Sequence, residues 1–471
     1  METLDPIDAL MLTGELLSSP MHVAVVMILT PPPGVDSRRY VEQLYADSLT
    51  AGDLIDPRLR RRPYRGIDTA GMWVWRDVDD IDLRHHMQRR TLPRDAGAEG
   101  LWDLVSDLHA LPLDRSAPMW MAYLIDGLDD GRFAFYIKVH HIVVDGVAGL
   151  KMIGDSLSSD AEQRGMPPFY ATTSPPPEPR PKKGGLPNPL SAVRAVAGAA
   201  ASGLSLTRHV LAAELANIVG SLTTSAVTPP FGAPHTRFNT KLGPHRAVAA
   251  TSMDRNRIRA IQQAAGVTGN DVVTAVISGV VRAWLAEQDE LPHQSLVAIC
   301  PVTIRDQASS PLDEGGNQFG LGLCPLGTNI DNAAQRLGLV HYAMKNVKHQ
   351  VAAQGPGAML VVLMPAIGPT VLLPQLPFTS WVRPSYNLPI SNVPGPQRQM
   401  YFNGSHVDEI YPVSVVYDGM ALNVTVCSYA DRIGVGYVPT AMWSPTSTTS
   451  SRSPRRRSRT SRPVCGWPST P

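Results

Sequence analysis

The stretch Phe133-Ala-Phe-Tyr-Ile-Lys-Val-His-His141 constrains this chain more than any other. Phe133, Phe135, Ile137 and Val139 alternate with the residues between them, the period of a strand with one face against a core. His141 shares their parity, whereas His140 falls with Tyr136 and Lys138. The parity predicts His141 turned inward and His140 turned away. Neighbouring histidines on a strand do not converge easily on one ion, which argues against a metal site. It favours a single oriented imidazole, suited to take a proton near neutral pH. The strand runs into Ile142-Val-Val-Asp-Gly146. Gly146 permits a sharp turn. Asp145 is placed either to hold the imidazole or to anchor the loop through an arginine. A lone histidine in a strand reads as a hydrogen-bonded core residue, and a lone Asp-Gly as a turn. The full His140-His141-x-x-x-Asp145-Gly146 constellation favours a functional reading.

Around this strand the pattern is mixed α/β, without a GxGxxG fingerprint or a P-loop. Met21–Leu29 reads as a strand and Gly149–Leu157 as the start of a helix. Leu101–Leu111 reads as a helix with Leu101, Leu104, Val105 and Leu108 on one face. At 471 residues the chain is long enough for two domains. The expected division is 1–166, then a linker and connector helix over 167–235, then 236–438, then a tail over 439–471. Prolines 175–177, 179, 181, 187 and 189 make the first part of the linker extended. Ser191–Ser225, rich in Ala and Leu, reads as the connector helix.

In the second domain Arg246–Met253 and Leu296–Pro301 read as strands. Asn270 precedes the helical pattern Val272, Val273, Val276, Val280 and Trp284. It is therefore a helix N-cap or first-turn residue, serving the helix alone or a substrate oxyanion. Arg305 is either a partner for Asp145 or a solvated loop residue. Ser391–Pro396 reads as a turn-rich loop, in which Ser391 and Asn392 either line a pocket or simply reverse the chain. Val413–Tyr417 and Ala421–Tyr429 flank Asp418-Gly419, a hairpin signal.

The formal net charge of +1 implies no polyanionic partner for the chain as a whole. Cys300, Cys324, Cys427 and Cys465 show no CxxC spacing, so reduced thiols and a cytoplasmic protein are expected, with no metal and no cofactor. The acidic start Met1-Glu-Thr-Leu-Asp lacks the apolar core of a signal peptide. Val351–Val382 carries no charged side chain, but five prolines interrupt it as a membrane span. It reads as buried core and loops, or as a lipid-facing lip. After Val438 the composition breaks: residues 439–471 hold six of the 42 basic residues and no acidic one. A solvated, disordered appendage is the first reading, and a basic tail for anionic lipid or RNA the second.

The motif HHxxxDG resembles the signature of the CoA-dependent acyltransferase superfamily. Further blocks resemble the bacterial wax ester synthase/diacylglycerol acyltransferases in particular. They are Leu4-Asp-Pro-Ile-Asp-Ala-Leu10, Pro20-Met-His-Val23, Leu113-Asp-Arg115, Pro118-Met-Trp120, Gly127, Phe238-Asn239, Asn270-Asp271, Pro301–Arg305, Gly316-Asn317, Ser391–Pro396 and Ser428-Tyr429. The likeness covers roughly residues 4–438. It implies two chloramphenicol-acetyltransferase-like domains, each a mixed β-sheet with flanking helices, and an active-site channel between them. It implies transfer of a long acyl group from acyl-CoA, as co-substrate, to diacylglycerol or a long-chain alcohol. His141 would be the general base, His140 supporting, and Asp145 mainly structural, with no acyl-enzyme. The expected place is the cytoplasm, peripherally at a membrane or lipid droplet, with no nucleic-acid partner. Two rivals stand beside this: a lipid-binding scaffold that has lost activity, and a condensation-like transferase using a carrier-bound thioester. The family continues past this point into a further helix, so the break after Val438 resembles the product of a shifted reading frame.

Overall fold

The computed structural model describes residues 2–17, 19–97, 99–144, 146–171, 232–243, 245–303, 319–349 and 383–439. Asp145, the linker from residue 172, the connector helix, Arg305, Gly316-Asn317, Val351–Val382 and the tail from 440 lie outside the described residues.

In chain order the first half forms β1 (Glu2–Thr3), α1 (Pro6–Leu17), β2 (His22–Thr30), α2 (Ser37–Ser48), β3 (Arg61–Tyr64), β4 (Val74–Asp77) and α3 (Leu83–His86). It continues with β5 (Met87–Thr91), α4 (Gly100–Ala110), β6 (Trp120–Asp126), β7 (Phe133–His140) and α5 (Gly146–Asp155). The second half forms β8 (Ala249–Asp254), α6 (Arg255–Ala265), α7 (Gly269–Glu287), β9 (Val297–Thr303), β10 (Phe319–Pro325) and α8 (333–349). It ends with β11 (Leu388–Pro394), β12 (Tyr401–Phe402), β13 (Ser405–Val413), β14 (Leu422–Tyr429) and β15 (Arg432–Pro439). The chain divides into two compact units. One comprises residues 1–173, 237–276 and 388–471, the other 174–236 and 277–387.

In the first unit a six-stranded sheet runs β12-β13-β2-β7-β6-β5. Thus β12 and β13, from late in the chain, complete a sheet made otherwise by the first 140 residues. The strand β7 sits at its centre, antiparallel to both β2 and β6. All eight of its residues are buried, because both faces are covered. Phe133, Phe135, Ile137 and Val139 pack with Val41 and Leu44 of α2 and Met152 and Ile153 of α5. Ala134 and Tyr136 pack with Leu101, Val105 and Leu108 of α4.

The expectation that Tyr136, Lys138 and His140 turn away from the interior is therefore corrected. An ammonium inside a core costs several kcal/mol unless it is solvated by the protein. Here the C-terminal end of α4 does so: Lys138 Nζ donates to the Leu108 and Leu111 carbonyls, each at 2.8 Å. Those carbonyls carry the negative end of the helix dipole. Burial still pulls the Lys138 pKa from 10.5 to about 8.

A second layer of the same unit holds β11, β14, β15 and β8 side by side in that order. Strand β11 runs parallel to β14; β14–β15 and β15–β8 are antiparallel. The Asp418-Gly419 turn forms as expected, with Gly419 at φ 85° and Met420 N–H donating to Tyr417 O at 2.8 Å. It does not close a hairpin ladder, however. β13 pairs with β2, while β14 joins the second layer, so the turn hands the chain from one sheet to the other. Phe238-Asn239 staples it: Ala421 N–H donates to Phe238 O at 2.7 Å and Asn239 Nδ2 to Gly419 O at 3.2 Å. In the second unit β9 and β10 form an antiparallel pair.

The two layers touch where β15 crosses β13. A Cβ at Gly434 would lie 2.0 Å from the Ile410 carbonyl oxygen, and one at Gly436 1.8 Å from that of Pro412. Backbone atoms on both sides cannot yield, so Gly434→Ala and Gly436→Ala should each destabilise by roughly 1–3 kcal/mol or more. Gly338→Ala is the control: it is exposed within α8, with nothing within 4 Å of the added methyl. That variant should stabilise by about 0.5–1 kcal/mol. Denaturant melts of the three variants decide this, and wild-type stability for Gly434→Ala and Gly436→Ala would refute the close approach.

Candidate active site

The two histidines are fixed first through their peptides. His140 N–H donates to Met119 O and His141 N–H to Met21 O, both at 2.9 Å. The chain then turns, with Val143 N–H donating to His140 O at 2.9 Å. The strand ends at His140, so alternation does not extend to His141. His140 is fully buried, and His141, one residue further, is partly exposed. The expected assignment of inward and outward histidines is thereby reversed. Ile142 N–H donates to His140 Nδ1 at 3.2 Å. An Nδ1 that accepts leaves Nε2 as the protonated nitrogen. That nitrogen lies 3.4 Å from Oε2 of Glu15.

Glu15, in the last turn of α1, has a side chain only 8% exposed. Its carboxylate accepts Met21 N–H at 3.0 Å and the Arg115 guanidinium, and it faces His140. Burial alone would raise its pKa. His140, Arg115 and the Met21 amide outweigh that and hold it at about 2, against 4.5 ordinarily. Arg115 also donates to Leu12 O at 3.3 Å. Glu15 was missed in the sequence, although a carboxylate closing the apolar run Ala9-Leu-Met-Leu12 is an available signal.

Below His140 the polar side chains continue. His22 pairs with it across the β2–β7 register. His22 Nε2–H donates to His109 O at 2.8 Å, and His109 Nδ1 is hydrogen-bonded to the Tyr136 hydroxyl at 2.9 Å. Burial, reinforced by His109 and by Lys138, pushes His22 well below its ordinary pKa. Burial and Lys138 push His109 to about 3. Both are held neutral. The blocks at Leu4–Leu10, Pro20–Val23, Leu113–Arg115 and Pro118–Trp120 thus meet around the turn. Leu4, Leu12, Leu113, Met119 and Ile142 form one apolar cluster there.

Gly146 opens α5, and a Cβ on it would sit 3.6 Å from Val393 of β11. This sets the late block beside the motif helix. Ser391–Pro394 is strand, not the expected loop, because it pairs in parallel register with Thr425–Ser428 of β14. Ser391 is partly exposed and Asn392 exposed. Asn392 Nδ2 donates to Asn270 Oδ1 at 3.0 Å. Asn270 lies in the first turn of α7 but does not cap it. Thr268 and Asp271 do, with Thr268 N–H donating to Asp271 Oδ2 at 2.9 Å and Asp271 N–H to Thr268 Oγ1 at 3.2 Å. Asn270 is left to join Asn392. Asp145 and Arg305 lie outside the described residues. Among the described residues no group of three or more His, Cys, Asp or Glu side chains is placed to hold a metal ion.

Comparison with known proteins agrees with this construction. Residues 4–273 match the wax ester synthase/diacylglycerol acyltransferase catalytic domain, and residues 315–445 the C-terminal domain of the same proteins. A Mycobacterium tuberculosis protein named as a diacylglycerol O-acyltransferase is 37% identical over 439 residues, covering 92% of this chain and 94% of its own. A Mycobacterium bovis protein named likewise is 35% identical over 442 residues, covering 93% and 94%. The solved wax ester synthase/diacylglycerol acyltransferase of Marinobacter aquaeolei superposes with TM-score 0.73 at 29% identity, over 95% of both chains. The first condensation domain of the calcium-dependent antibiotic synthetase shares the fold alone, with TM-score 0.52 at 15% identity over 94% of this chain and 92% of that one. The architecture is that of the chloramphenicol-acetyltransferase-like class, two domains of mixed sheet and helix. Within that class, the chain belongs to the wax ester synthase/diacylglycerol acyltransferase family.

Glu15 has a pKa below its unfolded value, so its stabilisation is present above about pH 4.5 and is lost as pH falls toward 2. The stability gap between wild type and Glu15→Gln should therefore close across that window in denaturant melts. A gap independent of pH would show that the carboxylate's charge contributes nothing.

Proposed function

We propose that this protein moves a long acyl group from acyl-CoA to the hydroxyl of diacylglycerol or of a long-chain alcohol, with His141 as general base. One observation carries the assignment: the turn pins His140 in the core and leaves His141 partly exposed, backbone-anchored and next to it. His141 takes the hydroxyl proton as that oxygen bonds to the thioester carbon. The tetrahedral oxyanion then collapses, the C–S bond breaks, and the CoA thiolate recovers the proton from His141. No nucleophilic side chain is needed, so no acyl-enzyme forms. We assign Asn270, Ser391 and Asn392 to the substrate-facing surface beside the motif helix, with Asn270 and Asn392 presented as a hydrogen-bonded pair. We assign Asp145 and Gly146 an orienting role in the motif and Arg305 the role of partner to Asp145, both Asp145 and Arg305 lying outside the described residues.

His141→Ala should lower CoA release from palmitoyl-CoA, with diacylglycerol or hexadecanol as acceptor, by ~10²–10⁴-fold while the fold is kept. Equal turnover by wild type and variant would remove His141 from the chemistry. The composition break after Val438 favours a second reading, a lipid-binding homologue without activity. Turnover by neither protein, with lipid still bound, would support it.

Contact with a lipid surface belongs to the same proposal, and the β3–β4 tip supports it. Ile67 is fully exposed and Met72 is 39% exposed. The turn holding them is built from its own hydrogen bonds, Ala70 N–H to Ile67 O and Met72 N–H to Thr69 O, both at 3.0 Å. Residues 57–77 carry six arginines against two aspartates, in a chain whose net charge is +1. Exposed apolar side chains on a segment with this excess of arginine, three of them ion-paired (Arg58, Arg61 and Arg76), suit an anionic bilayer. The protein should co-float with phosphatidylglycerol-containing vesicles, and Ile67→Glu should cut that severalfold. Undiminished flotation of the variant would move the contact elsewhere.

A further inference from the structure

We propose that Glu15 is a positioning residue for the reaction, a single carboxylate that sets both histidines of the motif. This rests on the reading of His141 as base. Three hydrogen bonds and one ion-pair contact carry it. Glu15 Oε2 faces the Nε2–H of His140 at 3.4 Å, which fixes the ring so that Nδ1 points back at Ile142 N–H, 3.2 Å away. Glu15 Oε1 accepts Met21 N–H at 3.0 Å, and the carbonyl of the same Met21 accepts His141 N–H at 2.9 Å. The carboxylate therefore grips the turn twice, once through the first imidazole and once through the peptide beside the second. Arg115 anchors the carboxylate itself and fixes its charge. Without Glu15 the Nε2–H of the buried His140 would face no carboxylate among the described residues, and the opposite tautomer would face Ile142 N–H with a second donor. The turn carrying His141 would then lose its fixed geometry.

The effect should fall on the chemical step. Glu15→Gln is isosteric, but it sets an amide where His140 and Arg115 both donate. In the full-length protein it should lower kcat by roughly 10–100-fold, with KM for palmitoyl-CoA within about twofold. Because Glu15 acts through His140, the double variant Glu15→Gln/His140→Ala should be no slower than the slower single variant. Penalties that multiply would overturn the proposal. So would a kcat per folded molecule equal to wild type, with only the melting temperature reduced. If Glu15→Gln gives no soluble protein, Glu15→Asp takes its place, keeping the charge but withdrawing the oxygen from His140, and the same coupling is read. His141→Ala separates the two claims. An inactive His141→Ala beside a Glu15→Gln of full kcat would sink this inference alone. A fully active His141→Ala would sink the base assignment and this inference with it.

Discussion

The rest of the site depends on one buried anion. Glu15 is surrounded by donors: a guanidinium, a backbone amide and an imidazole. Removing a carboxylate from water is costly, and a pair left half-made inside a protein costs 3–5 kcal/mol, so such a group persists only when nearly all its lone pairs are used. The helix α1 delivers it, Met21 just before β2 and Arg115 before β6 supply donors, and the end of β7 receives the result. Residues 15–21 and Arg115, about a hundred residues apart, are thereby tied to the turn that bears His141.

A second constraint operates on the scale of the sheets. The turn at Asp418-Gly419 passes the chain from β13 in one layer to β14 in the other, and the layers touch without side chains between them at Gly434 and Gly436. This holds β11 in place, since β11 is aligned by β14 and β14 by β15. Val393 on β11 then meets the first residue of α5. The position of the late block relative to the histidine turn is thus a consequence of backbone contact two strands away.

Local patterns in the sequence were enough for most elements of the first unit. Strands β2 and β7 and helix α4 follow directly from periodicity, and their bounds differ from expectation by a residue or so. Patterns failed where a distant partner decides the outcome. Lys138 looks like a solvent-facing residue until the end of α4 is placed above it. Ser391–Pro394 looks like a loop, with its serine, asparagine and proline, until β14 offers a parallel partner. His141 shares the apolar parity of β7, but the strand stops one residue earlier. Glu15 gave no motif of its own, because its role comes from a turn more than a hundred residues away. Family resemblance found the right blocks without explaining them. The structure gives the explanation for Arg115 and Met21, which hold Glu15 from two sides.

The charge states around the turn follow from the same geometry. Of His22, His109, His140 and His141, only the last reaches solvent. Burial keeps His22 and His109 neutral, so neither competes for the negative charge of Glu15. That charge remains committed to Arg115 and the Met21 amide, with the His140 ring 3.4 Å away. A general base must exchange its proton with substrate and product in every cycle, which needs access as well as basicity. His22 and His109 are bound into buried hydrogen-bond roles, and a proton on either would disrupt the core that carries β7. Of the four imidazoles only that of His141 offers such access, and the stability of the buried network and the exposure of His141 are two results of one arrangement.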